Sequence, residues 1–232
     1  MSILFAMAIA IAAPAAPSGP ACPDVVTPEA FVCRALEASQ AGKSEAAATA
    51  FEQAAMATDD KDPAKARMLA AAGNMWIAAG QPGKAALALD RALVGTALQA
   101  EQRGEALLDR ARAAEAQNDL KTARVKVNEA AGTISADPFY WYFSAALAIR
   151  ELDKATAQSA INKALSLAPN DPTILFEAGH VAQFAGDEAK ARAYWDQAAL
   201  ADPAGPIGKA ARDAIALMPT PVTGKPPAAK AQ

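Results

Sequence analysis

Residues 175–203 read LFEAGHVAQFAGDEAKARAYWDQAALADP, and their spacing is the clearest structural signal in the sequence. Apolar and small residues recur at helical spacing on both sides of Gly186-Asp187, a pair that interrupts helices. The second run ends at Asp202-Pro203, where proline prevents a helix from continuing. The stretch therefore predicts two helices joined by a tight turn.

The same pattern occurs at regular offsets upstream. Its second-helix alanines are separated by 38, 38, 34 and 34 residues, and they are Ala47, Ala85, Ala123, Ala157 and Ala191. The last two spacings equal the 34-residue period of tetratricopeptide repeats, and the first two add about one helical turn. From Thr27 to Met218 the chain resembles this family. The resemblance implies an all-α, right-handed helical-hairpin solenoid of about five tetratricopeptide-like repeats with a C-terminal capping helix.

Local signals agree with the repeat boundaries. First helices are expected to begin at Thr27-Pro28, Asp62-Pro63, Asp137-Pro138 and Asp171-Pro172, because a capping side chain before proline favours a helix start. The turns inside the hairpins need a residue that tolerates positive φ, and the candidates are Gly42, Gly80, Asn118 and Gly186. Leu152 holds this place in the fourth repeat, so we expect its turn to be tighter or differently built.

The N-terminus indicates export. The apolar run from Ile3 to Ala13 is too short to span a bilayer but fits a secretory signal, although no Lys or Arg precedes it. The alternative is a disordered apolar N-terminus on a cytoplasmic protein. The expected organisation is a signal peptide (1–16), a linker (17–26), the repeat array (27–203), the capping helix (204–218) and a disordered tail (219–232). The exported protein would be periplasmic or secreted, with no stable membrane span after signal removal.

Two cysteines, Cys22 and Cys33, follow the apolar run. In an oxidising compartment they are expected to form one disulfide that ties the mature N-terminus to the first helix. Unlinked thiols are the alternative. A lipid anchor on Cys22 fits less well, because Gly19-Pro20-Ala21 is a poor match to a lipoprotein cleavage site.

Composition argues against several functional classes. The net charge of −3 gives no basic surface for nucleic acid. We find no Gly-rich phosphate loop, G-x-S-x-G elbow or H-E-x-x-H motif, and His180 is the only histidine. We therefore expect no cofactor, no metal site and no enzymatic activity, although helical-repeat folds with carboxylate pairs keep an enzyme as an alternative.

The family resemblance also implies that the first helix of each repeat lines a concave groove for a peptide. Residues expected on this face of the chain are Arg67, Asn74, Arg112, Phe139, Tyr142, Arg150, Phe176, His180, Gln183 and Phe184. The N-terminal members could bind a backbone or a carboxylate, and the aromatic C-terminal members are expected to anchor the partner. The alternative is that some rings, especially within Phe139–Phe143, are buried between helices.

These observations predict a non-catalytic scaffold of the cell envelope that binds a protein or peptide segment in the groove. The second interpretation is an assembly module that packs through its convex face or its ends. The third is a helical-repeat enzyme. The sequence does not specify the partner.

Overall fold

The structure is a computed structural model that describes residues 22–218. Within this range the chain forms eleven α-helices and no strand. They are α1 (Pro28–Gln40), α2 (Ser44–Ala57), α3 (Ala64–Ala78), α4 (Pro82–Ala92), α5 (Ala100–Ala116), α6 (Leu120–Ile134), α7 (Pro138–Arg150), α8 (Lys154–Leu167), α9 (Pro172–Ala185), α10 (Glu188–Ala201) and α11 (Pro206–Leu217).

The first ten helices form five successive hairpins, and α11 packs against α10 and α9. Neighbouring first helices also touch, since α3 contacts α5 and α7 contacts α9. The side chain of Asp202 accepts hydrogen bonds from Ile207 N (3.0 Å) and Gly208 N (3.1 Å), which fixes the start of α11. The predicted solenoid of five repeats with a C-terminal capping helix is confirmed.

The predicted helix starts carry side-chain caps. Thr27 Oγ1 accepts from Ala30 N at the start of α1, and Asp137 Oδ1 accepts from Phe139 N at the start of α7. Asp171 caps α9 in the same way. These bonds satisfy backbone N–H groups that have no partner inside the helix.

The turn of the fourth repeat differs from expectation. Leu152 has φ 60°, in the same left-handed region as Asn118 and the turn glycines. Asp153 N donates to Ala148 O (2.9 Å), just as Asp187 N donates to Ala182 O (2.9 Å) in the fifth repeat. The prediction of a differently built turn was therefore wrong. The backbone hydrogen bonds impose this conformation, and the Leu152 side chain extends into solvent.

The longer spacing of the early repeats is not a simple extra helical turn. The connections 58–63 and 93–99 between hairpins are longer than connection 168–171. Helix α5 has 17 residues, whereas α9 has 14. The additional residues are thus divided between connections and helices.

The apolar core consists of four clusters along the array. The repeating alanines Ala47, Ala85, Ala123, Ala157 and Ala191 are fully buried, which lets paired helices approach closely. Gly179 lies directly against the ring of Trp195, since a Cβ added at Gly179 would lie 2.1 Å from Trp195 Nε1. Packing between neighbours, with no single central core, holds the fold together.

A disulfide joins Cys22 to Cys33, with their Cα atoms 5.7 Å apart. Arg34 reinforces this link, since its guanidinium donates to Pro23 O (2.9 Å) and Val25 O (3.1 Å). Residues 22–26 are therefore held against α1 although they form no helix.

The predicted signal peptide (1–16), the first part of the linker and the predicted tail (219–232) lie outside the described residues. Between residues 22 and 218, no helix combines the length and apolar character needed to cross a membrane.

Candidate functional site

Two pockets open on the side of the array formed by the first helices. The N-terminal pocket, about 450 Å³, lies mainly between α3 and α5, and its lining residues are Phe51, Arg67, Ala70, Ala71, Asn74, Met75, Leu98, Gln102, Glu105, Ala106, Leu108 and Asp109. The C-terminal pocket, about 410 Å³, lies between α7 and α9, and its lining residues are Ala146, Ile149, Glu177, His180, Gln183 and Phe184. Five of the ten residues predicted from sequence line these pockets: Arg67, Asn74, His180, Gln183 and Phe184.

Asp109 engages two of the predicted polar residues. Asn74 Nδ2 donates to Asp109 Oδ2 (2.8 Å), which links α3 to α5. Arg112 Nη1 donates to Asp109 Oδ1 (2.8 Å). Both donors therefore have an internal acceptor, which reduces their availability to a carboxylate of a partner. Sequence reasoning missed Asp109, although it directly follows Leu108, which lines the same pocket.

The other polar residues of the N-terminal pocket are Arg67, Gln102 and Glu105. Glu105 has a raised pKa, first because of burial and then because of the carboxylates of Glu101, Asp109 and Asp137. Gln102 Oε1 is buried and has no hydrogen-bond partner within residues 22–218. Arg67 is exposed at the same pocket. The pocket thus offers a segment acceptors at Gln102 and Glu105 and a donor at Arg67.

Arg150 braces two repeats against each other. Its Nη1 donates to Glu115 O (2.9 Å) and to the Glu115 carboxylate, and its Nη2 donates to Asn118 Oδ1 (2.9 Å). The side chain therefore joins the end of α7 to the end of α5 and the turn that follows it. These contacts occupy the guanidinium that was predicted to face a partner.

The aromatic run at the start of α7 is divided between core and surface. Tyr140 is 4% exposed, and Trp141 Nε1 donates to Ser135 O (2.8 Å). Phe139 is 46% exposed and meets Tyr142 edge to face, with 6.3 Å between ring centroids. Tyr142 is half-buried against the third core cluster, and burial raises its pKa. Of this run, Phe139 is the ring with the greatest exposure.

The predicted pair Phe176 and His180 forms an aromatic cluster with Trp195. The Phe176 and His180 rings are perpendicular at 4.6 Å, and His180 lies 5.5 Å from Trp195. Burial lowers the pKa of His180, so the imidazole is neutral near pH 7. Phe176 does not line the C-terminal pocket directly, but it fixes the ring of His180, which does.

Glu177 is the main residue of this pocket that sequence reasoning missed. Burial raises the pKa of its carboxyl to about 7. No residue between 22 and 218 forms an ion pair with it. The signal that could have identified Glu177 is its position in the repeat. It directly follows Phe176 on α9, just as Asp109 directly follows Leu108 on α5. An unpaired carboxyl in a pocket is costly to bury and is a common mark of a functional site.

Comparison with known proteins gave matches among solved structures. No protein-family model and no curated protein sequence matches the chain. The crystal structure of YrrB, described as a TPR protein with an unusual peptide-binding site, is 17% identical, with a TM-score of 0.56 over 79% of this chain and 91% of YrrB.

Two further matches are PilW and PilF. PilW, described as a widely conserved type IV pilus biogenesis factor, is 16% identical, with a TM-score of 0.67 over 79% of this chain and 81% of PilW. PilF of Pseudomonas aeruginosa is 15% identical, with a TM-score of 0.64 over 82% of this chain and 83% of PilF. At these identities the likeness concerns the fold. With five helical hairpins of matching geometry, the chain has the tetratricopeptide repeat fold.

Proposed function

We propose that the protein is a non-catalytic interaction scaffold of the cell envelope that binds a polypeptide segment along the face formed by α3, α5, α7 and α9. The observation that carries this proposal is the pair of pockets on that face, each between the first helices of successive repeats. Both combine apolar walls with a few polar groups, as ligand sites usually do. The peptide-binding site named for YrrB supports the same use of this fold.

Export is the second part of the proposal. Disulfides persist in oxidising compartments, so the Cys22–Cys33 bond favours a periplasmic or secreted location. The apolar run at residues 3–13 supports a signal peptide ending near residue 16. In this organisation residues 27–203 form the array, residues 204–218 cap it and residues 219–232 form a tail.

Site-specific photo-crosslinking in the envelope of the living cell tests the groove. A benzophenone amino acid at Arg67 or Gln183, both exposed at the pockets, should crosslink to the same partner, in segments that mass spectrometry can order along its chain. The matched control is the same amino acid at Leu200 on α10, which is 80% exposed and lies outside both pockets. Crosslinks from the control position alone would exclude the groove.

A second candidate function follows from the second helices. These carry large apolar side chains in solvent, with Met56 66%, Leu87 69% and Leu200 80% exposed. Exposed apolar side chains suit packing against a larger assembly. Crosslinks from Leu87 and Leu200, without any from Gln183, would favour this assembly module.

A further inference from the structure

The geometry points to the C-terminal pocket as the receptor for a lysine or arginine side chain of the bound segment, with the Glu177 carboxylate as its counter-ion. This inference rests on the proposed function, because it assigns one chemical requirement to the segment that the groove holds.

The first argument is the position of Glu177. The residue lies in the middle of α9, lines a pocket of about 410 Å³ and is only partly accessible to solvent. Burial raises the pKa of its carboxyl to about 7. A cation entering the pocket would restore the favourable environment that burial removes from the carboxylate, so binding and ionisation of Glu177 reinforce each other.

The second argument is that the neighbouring cations are committed elsewhere. On α5, Arg112 pairs with Asp109, and on α7, Arg150 pairs with Glu115. Lys154 at the start of α8 lies 5.4 Å from the centroid of the Phe184 ring and forms no ion pair with Glu177. The carboxylate therefore has no counter-ion among the residues of the described chain that surround it.

The third argument is the shape and chemistry of the walls. Ala146 and Ile149 form an apolar wall on α7, and Phe184 lines the pocket with an aromatic ring on α9. The methylene stem of lysine or arginine packs well on such surfaces while its charged end reaches an acceptor. Because the described pocket pairs apolar walls with one unpaired carboxylate, a cationic side chain fits it better than an acidic or purely apolar one.

The titratable groups around Glu177 are consistent with this assignment. Tyr142 on α7 is near enough that the Glu177 carboxylate adds to the rise in the tyrosine's pKa, which burial mainly causes. His180, one turn further along α9, is held neutral by burial and lines the same pocket. Neither supplies a positive charge near pH 7.

A peptide-selection experiment tests the inference. A pool of acetylated, amidated nonapeptides of random sequence is passed over the immobilised full-length mature protein at physiological salt, and the retained peptides are sequenced by mass spectrometry. Glu177→Gln is the test variant. Glu188→Gln, at the exposed start of α10, is the matched control for loss of one negative charge.

We expect lysine and arginine together to be enriched at least threefold at one position of the peptides retained by the native protein and by Glu188→Gln, and not by Glu177→Gln. Equal enrichment on all three proteins, or no enrichment of basic residues, would overturn the assignment. Retention without a basic preference would still leave groove binding intact. Retention no greater than on a blank resin would overturn both proposals.

His180 provides a second readout that does not depend on retention. Because it is the only histidine, its imidazole NMR signals report the state of the C-terminal pocket without assignment ambiguity. A retained peptide should shift these signals, and its norleucine analogue should need at least tenfold more peptide for the same shift. Equal potency of n-butylamine and the peptide would identify a site for free amines and would contradict a polypeptide ligand.

Discussion

Trp195 Nε1 donates a 3.0 Å hydrogen bond to the backbone oxygen of Phe176. The indole thereby crosses from α10 to the groove-forming helix α9 and lies against Gly179 and His180. The buried side of the fifth repeat thus fixes the positions of residues on its exposed side. Changes in this contact should alter both stability and the C-terminal pocket.

Substitution of Gly179 by alanine is expected to destabilise the protein by about 3 kcal/mol, since overpacking in a close-packed core forces backbone or ring displacement. The new Cβ would lie 2.1 Å from Trp195 Nε1, and no flexible chain end is available to move aside. Gly132→Ala is the matched control, because nothing lies within 4 Å of its added Cβ in α6. That control should be stabilising by roughly 0.5–1 kcal/mol on helix propensity alone. Urea unfolding followed by circular dichroism measures both, and equal stabilities would contradict the close approach.

Leu152→Gly is expected to stabilise the protein by about 1 kcal/mol. The left-handed conformation at Leu152, with φ 60°, costs a residue with a Cβ roughly 1–2 kcal/mol, and glycine avoids this cost. The Leu152 side chain is 78% exposed, so little packing is lost. The reverse change, Gly186→Ala, should destabilise by a similar amount because Gly186 has φ 93° and nothing near its Cβ. Thermal unfolding of both variants provides the test, and shifts in the same direction would contradict it.

Arg124→Met should destabilise the protein by about 2 kcal/mol, because it removes charge-assisted hydrogen bonds at a junction that is largely shielded from water. Arg124 Nε donates to Glu151 Oε1 (3.2 Å) and Oε2 (2.9 Å). Arg124 Nη1 donates to Ser144 Oγ (3.0 Å). The control is Lys126→Met. Lys126 lies on the same helix, α6, and pairs with Glu129 at the surface. The control should change stability by no more than about 0.5 kcal/mol, as expected for an exposed pair. Equal losses in denaturant unfolding would show that the buried bonds add nothing.

Glu177 predicts a specific dependence of stability on pH. Its folded pKa of about 7 lies above its ordinary value of 4.5, so the folded state binds the proton more tightly than the unfolded state. This carboxyl therefore stabilises the folded state at low pH, and about 3 kcal/mol of that contribution is lost as pH rises from 4.5 to above 7.

Glu177→Gln should remove this loss and exceed the native protein in stability at pH 8. His180 acts in the opposite sense in both proteins, because burial lowers its pKa below 6.5 and protonation there favours unfolding. Unfolding free energies at several pH values measure the difference between the proteins. Parallel profiles would show that the carboxyl is better solvated than the structure indicates.

Reduction of the Cys22–Cys33 bond should lower stability by roughly 3 kcal/mol in the chain-entropy description of a short loop. The bond joins residues 11 positions apart and affects only the first repeat, so the helical content of α3 to α11 should remain. Native purified protein should resist labelling by a thiol reagent until reductant is added. Labelling of both cysteines in protein isolated from the envelope would contradict the predicted bond and weaken the case for export.

The repeat pattern predicted the fold because it concerns local periodicity and packing between neighbours. Ala191 and Trp195 could be placed on a buried helix face from their spacing alone. The groove was harder to predict because its chemistry depends on which charges find partners across repeats. Arg112 and Arg150 line neither pocket, because Asp109 and Glu115 engage them. The importance of Glu177 emerges only from its burial and its lack of a partner, neither of which a single sequence reveals.

The division of the core into four clusters has a mechanical consequence. Because the clusters join helices of successive hairpins, a rotation of one hairpin against the next strains the packing within a cluster, and small rotations add along the array. The curvature of the face formed by the first helices can therefore change by small amounts, and the packing between hairpins opposes each change. A polypeptide segment bound across both pockets would resist changes in this curvature. Mechanical tension on the protein would therefore change its affinity for the segment.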